Sequence, residues 1–223
     1  MNRIMASMAL VASVALVSST SCSSSSSSPS HKAQPTAPAP TSTLSVPAPT
    51  STLSGQASAT QLKAAALAIP DLPFGWAVSP PSDVSSVTAP CATLTSSASK
   101  QLPAQAETDF QASEDGPFLQ EILASGPAQQ VHDLWASIRN AATQCSAITS
   151  GTDTTHLSAT SFSSYGDESY ALQLTASRSG VTYDGDVVVI RKGQVYIEVA
   201  AFGVDGMAAS TVQELVSKAV AKV

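Results

Sequence analysis

The stretch Val187-Val188-Val189-Ile190-Arg191-Lys192-Gly193-Gln194-Val195-Tyr196-Ile197-Glu198-Val199-Ala200-Ala201-Phe202 decides the fold. Two β-rich runs, 187–190 and 195–202, flank Arg191-Lys192-Gly193-Gln194, where Gly193 supplies the positive φ of a tight hairpin turn. Before it, Tyr170, Leu172, Leu174 and Ala176 alternate with Ser169, Ala171, Gln173 and Thr175, the period-two pattern of a half-buried strand. Residues 156–162 form a weaker strand signal. After it, Val212, Leu215, Val216, Ala219 and Val220 recur at helical spacing and predict a final helix over 207–221.

Working further back, 104–112 and 118–124 read as strands joined across Glu114-Asp115-Gly116-Pro117. A helix follows, with Ser125 as its expected N-cap and Pro127 in the first turn. Its apolar stripe is Val131, Leu134, Trp135, Ile138, Ala142 and Cys145, so the cysteine faces the core. An opening helix over 58–69 places Leu62, Ala66 and Ile69 on one face and ends at Pro70. The apolar turn Leu72-Pro73-Phe74-Gly75-Trp76 then reads as a plug in the core. The order is α-β-β-α-β-β-β-β-α: an α+β domain with an antiparallel sheet of about six strands and three packed helices.

The other end of the chain bears on location. Arg3, the apolar run Ile4–Val17, small residues Ser18–Ser21 and then Cys22 read as a lipoprotein signal peptide over 1–21, with Cys22 as the acylated residue. The run is too short to span a bilayer, which needs roughly 20 apolar residues. The gate Ser19-Thr20-Ser21 departs from the usual Leu, small, Gly or Ala pattern. It also suits ordinary signal cleavage, which would leave Cys22 free and the protein secreted. Residues 22–57 are almost wholly Ser, Thr, Pro and Ala, with Pro-Ala-Pro-Thr-Ser-Thr-Leu-Ser repeated at 38–45 and 47–54, and are expected to be a disordered linker. In an oxidising compartment Cys91 and Cys145 are left to pair as a disulfide, closing a loop of about 55 residues.

The net charge is −6, and removal of Arg3 with the signal makes it −7, which excludes the basic face of a nucleic-acid binder. No catalytic motif appears. Of the three histidines His31 lies in the linker, while His132 and His156 are not at ligand spacing, so no metal site is expected even with Asp133 or Asp153 nearby. There is no Gly-x-Ser-x-Gly elbow, Ser-x-x-Lys motif or phosphate loop, and no cofactor is expected. Asp167 and Glu168, or Asp184 and Asp186, are candidate acid–base pairs. Their neighbours Gly166 and Gly185 mark them as solvated turn residues.

These features resemble a known family. Cys91, Trp135 with Cys145 ten residues on, and the strand Arg191-Lys192-Gly193-Gln194-Val195-Tyr196-Ile197-Glu198-Val199 before the helix stripe Val212–Val220 are similar to mycobacterial and related actinobacterial lipoproteins. Those carry a domain like the extracellular sensor portion of the PknH-type receptor kinase. The likeness spans residues 58–223 and departs in having one internal cysteine pair where that sensor carries two. LpqN-type lipoproteins, with an adaptor or binding role, share a similar element order. The resemblance implies a cleft-bearing, non-enzymatic α+β domain that binds an unidentified cell-wall or extracellular ligand or protein partner, and it transfers no ligand-contact residue. The expected function is therefore a membrane-anchored binding or sensor-like module. The alternative is a cell-wall hydrolase or transferase with carboxylates assembled in space.

Overall fold

The structure of the protein, a computed structural model, describes residues 53, 55–80, 91–94, 99–150, 153–178 and 180–223. The signal peptide, Cys22, His31 and most of the linker lie outside the described residues, as does 81–90 of the loop before Cys91.

Helix α1 (Ala59–Ala65) is followed by β1 (Ala77–Val78), β2 (Ala104–Gln111), β3 (Phe118–Ser125), α2 (Ala128–Gln144), β4 (Ala147–Ser150), β5 (Asp153–Thr160), β6 (Glu168–Arg178), β7 (Val181–Lys192), β8 (Val195–Val204) and α3 (Ala209–Lys222). Short 3-10 turns occupy Ile69–Asp71, Cys91–Leu94 and Ser99–Gln101. The strands form one sheet in the order β1-β2-β3-β8-β7-β6-β5-β4, with every neighbouring pair antiparallel. The α+β class is as expected, but eight strands replace about six. The two additions, β1 and β4, are two and four residues long and sit at the sheet's edges. Runs that short carry no periodicity, so only pairing with β2 and β5 defines them.

The β7–β8 hairpin turns tightly on Gly193 and Gln194, with Lys192 opposite Val195 and φ +60° at Gly193. Its strands are longer than the apolar runs because residues 181–186 continue the β6 ladder. Two cores cover opposite faces of the sheet. On one face α1 and α3 bury Leu62, Val212, Leu215 and Val216 against Leu119, Leu123, Val188, Ile197 and Val199. On the other, α2 sets Val131, Leu134, Trp135 and Ile138 on Ala124, Val189 and Tyr196. Helices on both faces explain why Ala171 and Leu172, adjacent on β6, are both buried, where alternation predicted one face in and one face out.

The predicted start of α2 and the predicted end of α1 need correcting. Ser125 does not cap α2. It is the last residue of β3, fully buried, and its hydroxyl donates to the Gln194 carbonyl while accepting the Ala57 N–H, both at 2.9 Å. Pro127 is the N-cap, with no side-chain cap bond. Helix α1 begins as predicted, with Ser58 and Gln61 in a reciprocal capping box, but stops at Ala65. Glu121 takes the Leu67 N–H at 2.6 Å, which turns the chain away before Ile69. The chain also joins the fold before residue 58, since Ala57 is buried and the Leu53 N–H donates to the Val223 carbonyl at 2.8 Å.

Cys145, at the C-cap of α2, forms a disulfide with Cys91 of the second 3-10 turn, with their Cα atoms 5.5 Å apart. This holds Leu94 against the α2 core. Replacing both cysteines by serine is expected to lower unfolding stability by about 2–4 kcal/mol, since the loop closed is long. Urea titration with and without reductant measures the effect, which reduction of the native chain should reproduce.

Candidate functional site

Register fixes which side chains share a face. Across the central strands, one row on the α2 face runs Asp109, Gln120, Ala200, Val187, Leu172, and the adjacent row runs Glu107, Ile122, Glu198, Val189, Tyr170. Polar groups therefore gather over β2, β3 and β8 beside the apolar seat of α2. The Gln120 amide nitrogen donates to Glu107 Oε1 at 2.9 Å and to Asp109 Oδ1 at 3.0 Å, so one amide crosslinks two carboxylates. On β8 the Tyr196 hydroxyl donates to Glu198 Oε2 at 2.5 Å. Asp109, Gln120 and Tyr196 are buried, Glu198 is partly exposed and Glu107 is exposed, so the cluster has a dry base and a wet rim. Phe118 and Phe202 stack beside it with ring centres 5.4 Å apart.

The electrostatics follow from this burial. Desolvation pushes the Glu198 carboxyl above the usual carboxylate range, the charge of Glu107 adds to the shift, and the Tyr196 hydrogen bond offsets only part of it. Burial, with Glu198 beside it, drives the Tyr196 phenol upward too, so it stays a donor. The cluster is rich in acceptors and complements a ligand that brings N–H or O–H donors.

On the opposite face Glu121 is the deepest charge-capable group, fully buried. Its Oε2 accepts from the Leu67 N–H and from the Thr108 hydroxyl at 3.3 Å, while Oε1 is buried with no hydrogen-bond partner. Desolvation raises its pKa to about 7, against those two hydrogen bonds.

A separate cleft of about 260 Å³ lies under the loop between β5 and β6, lined by Ser161, Phe162, Ser163, Ser164 and Tyr170 among others. Its lining holds no carboxylate and no histidine.

The residues singled out in the sequence are scattered. His132 lies on the exposed side of α2, its Nδ1 3.5 Å from Asp133 Oδ1, and His156 is exposed on β5. Among the described residues no three His, Cys, Asp or Glu side chains are grouped to hold a metal ion. Asp167 and Glu168 both grip Arg191, at 3.0 and 2.5 Å, and Asp167 also accepts the Gly193 N–H at 2.7 Å. They clamp the hairpin turn. Gly166 is required beside them: with φ +60°, an added Cβ would lie 2.5 Å from the Arg191 carbonyl oxygen. Asp184 accepts from the Thr175 hydroxyl at 2.6 Å, and burial holds Asp186 above its ordinary pKa. The 72–76 turn is only partly a plug, because Leu72 is buried and Trp76 packs on the core while Phe74 is fully exposed. The Gln120, Tyr196 and Glu198 cluster was not singled out. Its signal in the sequence is polar residues inside two apolar strand runs, Gln120 and Glu121 in 118–124 and Glu198 in 195–202.

The α+β fold is shared with a solved structure. The fold is similar to the crystal structure of the extracellular domain of PknH from Mycobacterium tuberculosis, with a TM-score of 0.60 at 12% identity, covering 75% of this chain and 97% of that one. At that identity the likeness is one of fold. No protein-family model matches the sequence, and no curated protein does.

Glu121 gives the domain a pH signature. Its folded pKa lies above that of an unfolded glutamate, so the stability it contributes is complete below about pH 4.5 and is lost as pH rises through about 7. Denaturant titrations should show a decline on the order of 3 kcal/mol across that window. Glu121→Gln, which keeps an acceptor for Leu67 and Thr108, is expected to flatten the curve and to exceed the native chain in stability at pH 8.

Proposed function

We propose that this chain is a lipid-anchored binding module of the cell envelope, attached through Cys22 to the outer face of the membrane and carrying a sensor-like receptor domain. The observation that carries this reading is the α2-face cluster, where Gln120, Asp109, Tyr196 and Glu198 occupy interior strand positions that a sheet with a purely structural task fills with apolar residues. Its acceptor-rich base and exposed Glu107 rim select a ligand with amine or hydroxyl donors, such as an amino sugar or a peptide amine of the cell wall. The shared fold with a receptor's extracellular domain supports the same reading. So does the engagement of Asp167 and Glu168 by Arg191, which commits those carboxylates to structure.

Intact-mass spectrometry of protein recovered from its host tests both halves. The expected result is acylation at Cys22 together with a copurifying donor-rich ligand. The double variant Gln120→Ala, Glu198→Gln is expected to retain that ligand about tenfold less well, a loss matching one or two charge-assisted hydrogen bonds. Equal retention by a normally folded variant would move the binding site away from this cluster.

A further inference from the structure

Phe74 is fully exposed and has company. Of the five large apolar side chains exposed among the described residues, Ile69, Phe74 and Val78 lie within one ten-residue segment. Pro70, Pro73 and Ala77 between them are exposed as well. From Ala64 to Pro80 the single charged residue is Asp71. Its carboxylate is occupied, by the Lys222 ammonium at 2.5 Å and the Ala68 N–H at 2.8 Å. Burial alone would raise the Asp71 pKa, but those two bonds outweigh it and hold the carboxyl below its usual range, so it stays an anion neutralised by lysine. The outer surface of the segment is thus apolar and uncharged. Leu72 and Trp76 hold it to the core on either side of Phe74, on a turn that Gly75 completes at φ +97°.

The N-terminal stretch joins the domain at this same corner. Leu53 is bonded to Val223, the neighbour of Lys222, and Lys222 reaches Asp71, three residues before Phe74. In the tethered reading the 31 residues from Cys22 to position 52 are therefore connected within a few side chains of the exposed patch.

We propose that this corner, with Phe74 at its tip, inserts into the interfacial region of a phospholipid bilayer and orients the domain on the membrane to which Cys22 tethers it. A fully exposed aromatic on a turn enters a soft interface without needing a matching pocket, and exposed apolar groups that cluster in this way mark such contacts. One aromatic tip binds weakly on its own. A tether raises its effective concentration at the surface, the two-signal arrangement that stable peripheral attachment requires. The inference rests on the tethered reading above, and the test separates the two.

The chain starting at Cys22 has one thiol outside the Cys91–Cys145 bridge, so Cys22 can be coupled to a maleimide phospholipid in phosphatidylcholine and phosphatidylglycerol vesicles. That supplies the anchor whether or not the host acylates Cys22. Phe74→Trp is compared with Val181→Trp, an exposed apolar site elsewhere, in vesicles whose acyl chains carry bromine near the headgroups. The expected result is a blue shift and loss of roughly half of the added emission at position 74, with none at 181. Equal quenching at both sites, or none at 74, overturns the proposal. So does self-association that Phe74→Ala abolishes in sedimentation without quenching at 74, which would assign the corner to a second copy. Host acylation of Cys22, measured separately, decides the tethered reading alone.

Discussion

The pairing of β3 with β8 is the constraint on which the rest depends. Eight register pairs, from Phe118 opposite Phe202 to Ser125 opposite Val195, join strands some seventy residues apart in sequence. They fuse β1-β2-β3 and β4-β5-β6-β7-β8 into one sheet. Because β8 pairs with β3, the chain leaving β3 must travel to the far edge before β4 can begin, and α2 makes that journey. The helix therefore lies across the second block, with Trp135 and Ile138 against Val189 and Tyr196, and the disulfide at its far end is set by the same crossing. Contacts of such long sequence separation form late and slowly, which makes this seam the step that gives the two halves a common interior.

Burial on both faces at that seam also sets the chemistry. A central strand shielded by helices above and below has a low-dielectric surface on each side, so a polar side chain there titrates far from its solution value or is matched by a neighbour. Glu121 and Glu198 lie near the same point of the sheet, on opposite faces, and both are shifted upward by burial. Glu121 bonds to backbone of the α1 exit and serves the fold. Glu198 bonds to a tyrosine beside a partly open cluster. The charges at the hairpin turn, Arg191 with Asp167 and Glu168, are wetter and act as a local clasp.

Much of this was legible in the sequence and some was not, for definite reasons. The helix stripe Val131, Leu134, Trp135, Ile138 and the inward Cys145 came through because a long amphipathic period overdetermines its face. The β7–β8 hairpin came through because Gly193 fits its turn. The end of α1 did not, since it is fixed by a carboxylate on a strand 54 residues away. Ser125 was misplaced for a related reason: its hydroxyl serves two backbone groups distant in sequence, and a local capping pattern cannot compete with a buried pair of bonds. The polar cluster stayed hidden because its members are separate single residues on three strands, brought together only by register. The exposed Phe74 was read as core because composition alone cannot say which of Leu72, Phe74 and Trp76 faces outward.

The join at Leu53 and Ala57 has a mechanical consequence. Tension arriving along the chain from the N-terminal side meets first the Leu53 bond to Val223 and then the Ala57 bond to Ser125. These lie in succession along the chain, so they are loaded one after the other. A pull from that side therefore loads the entry segment before it reaches the sheet.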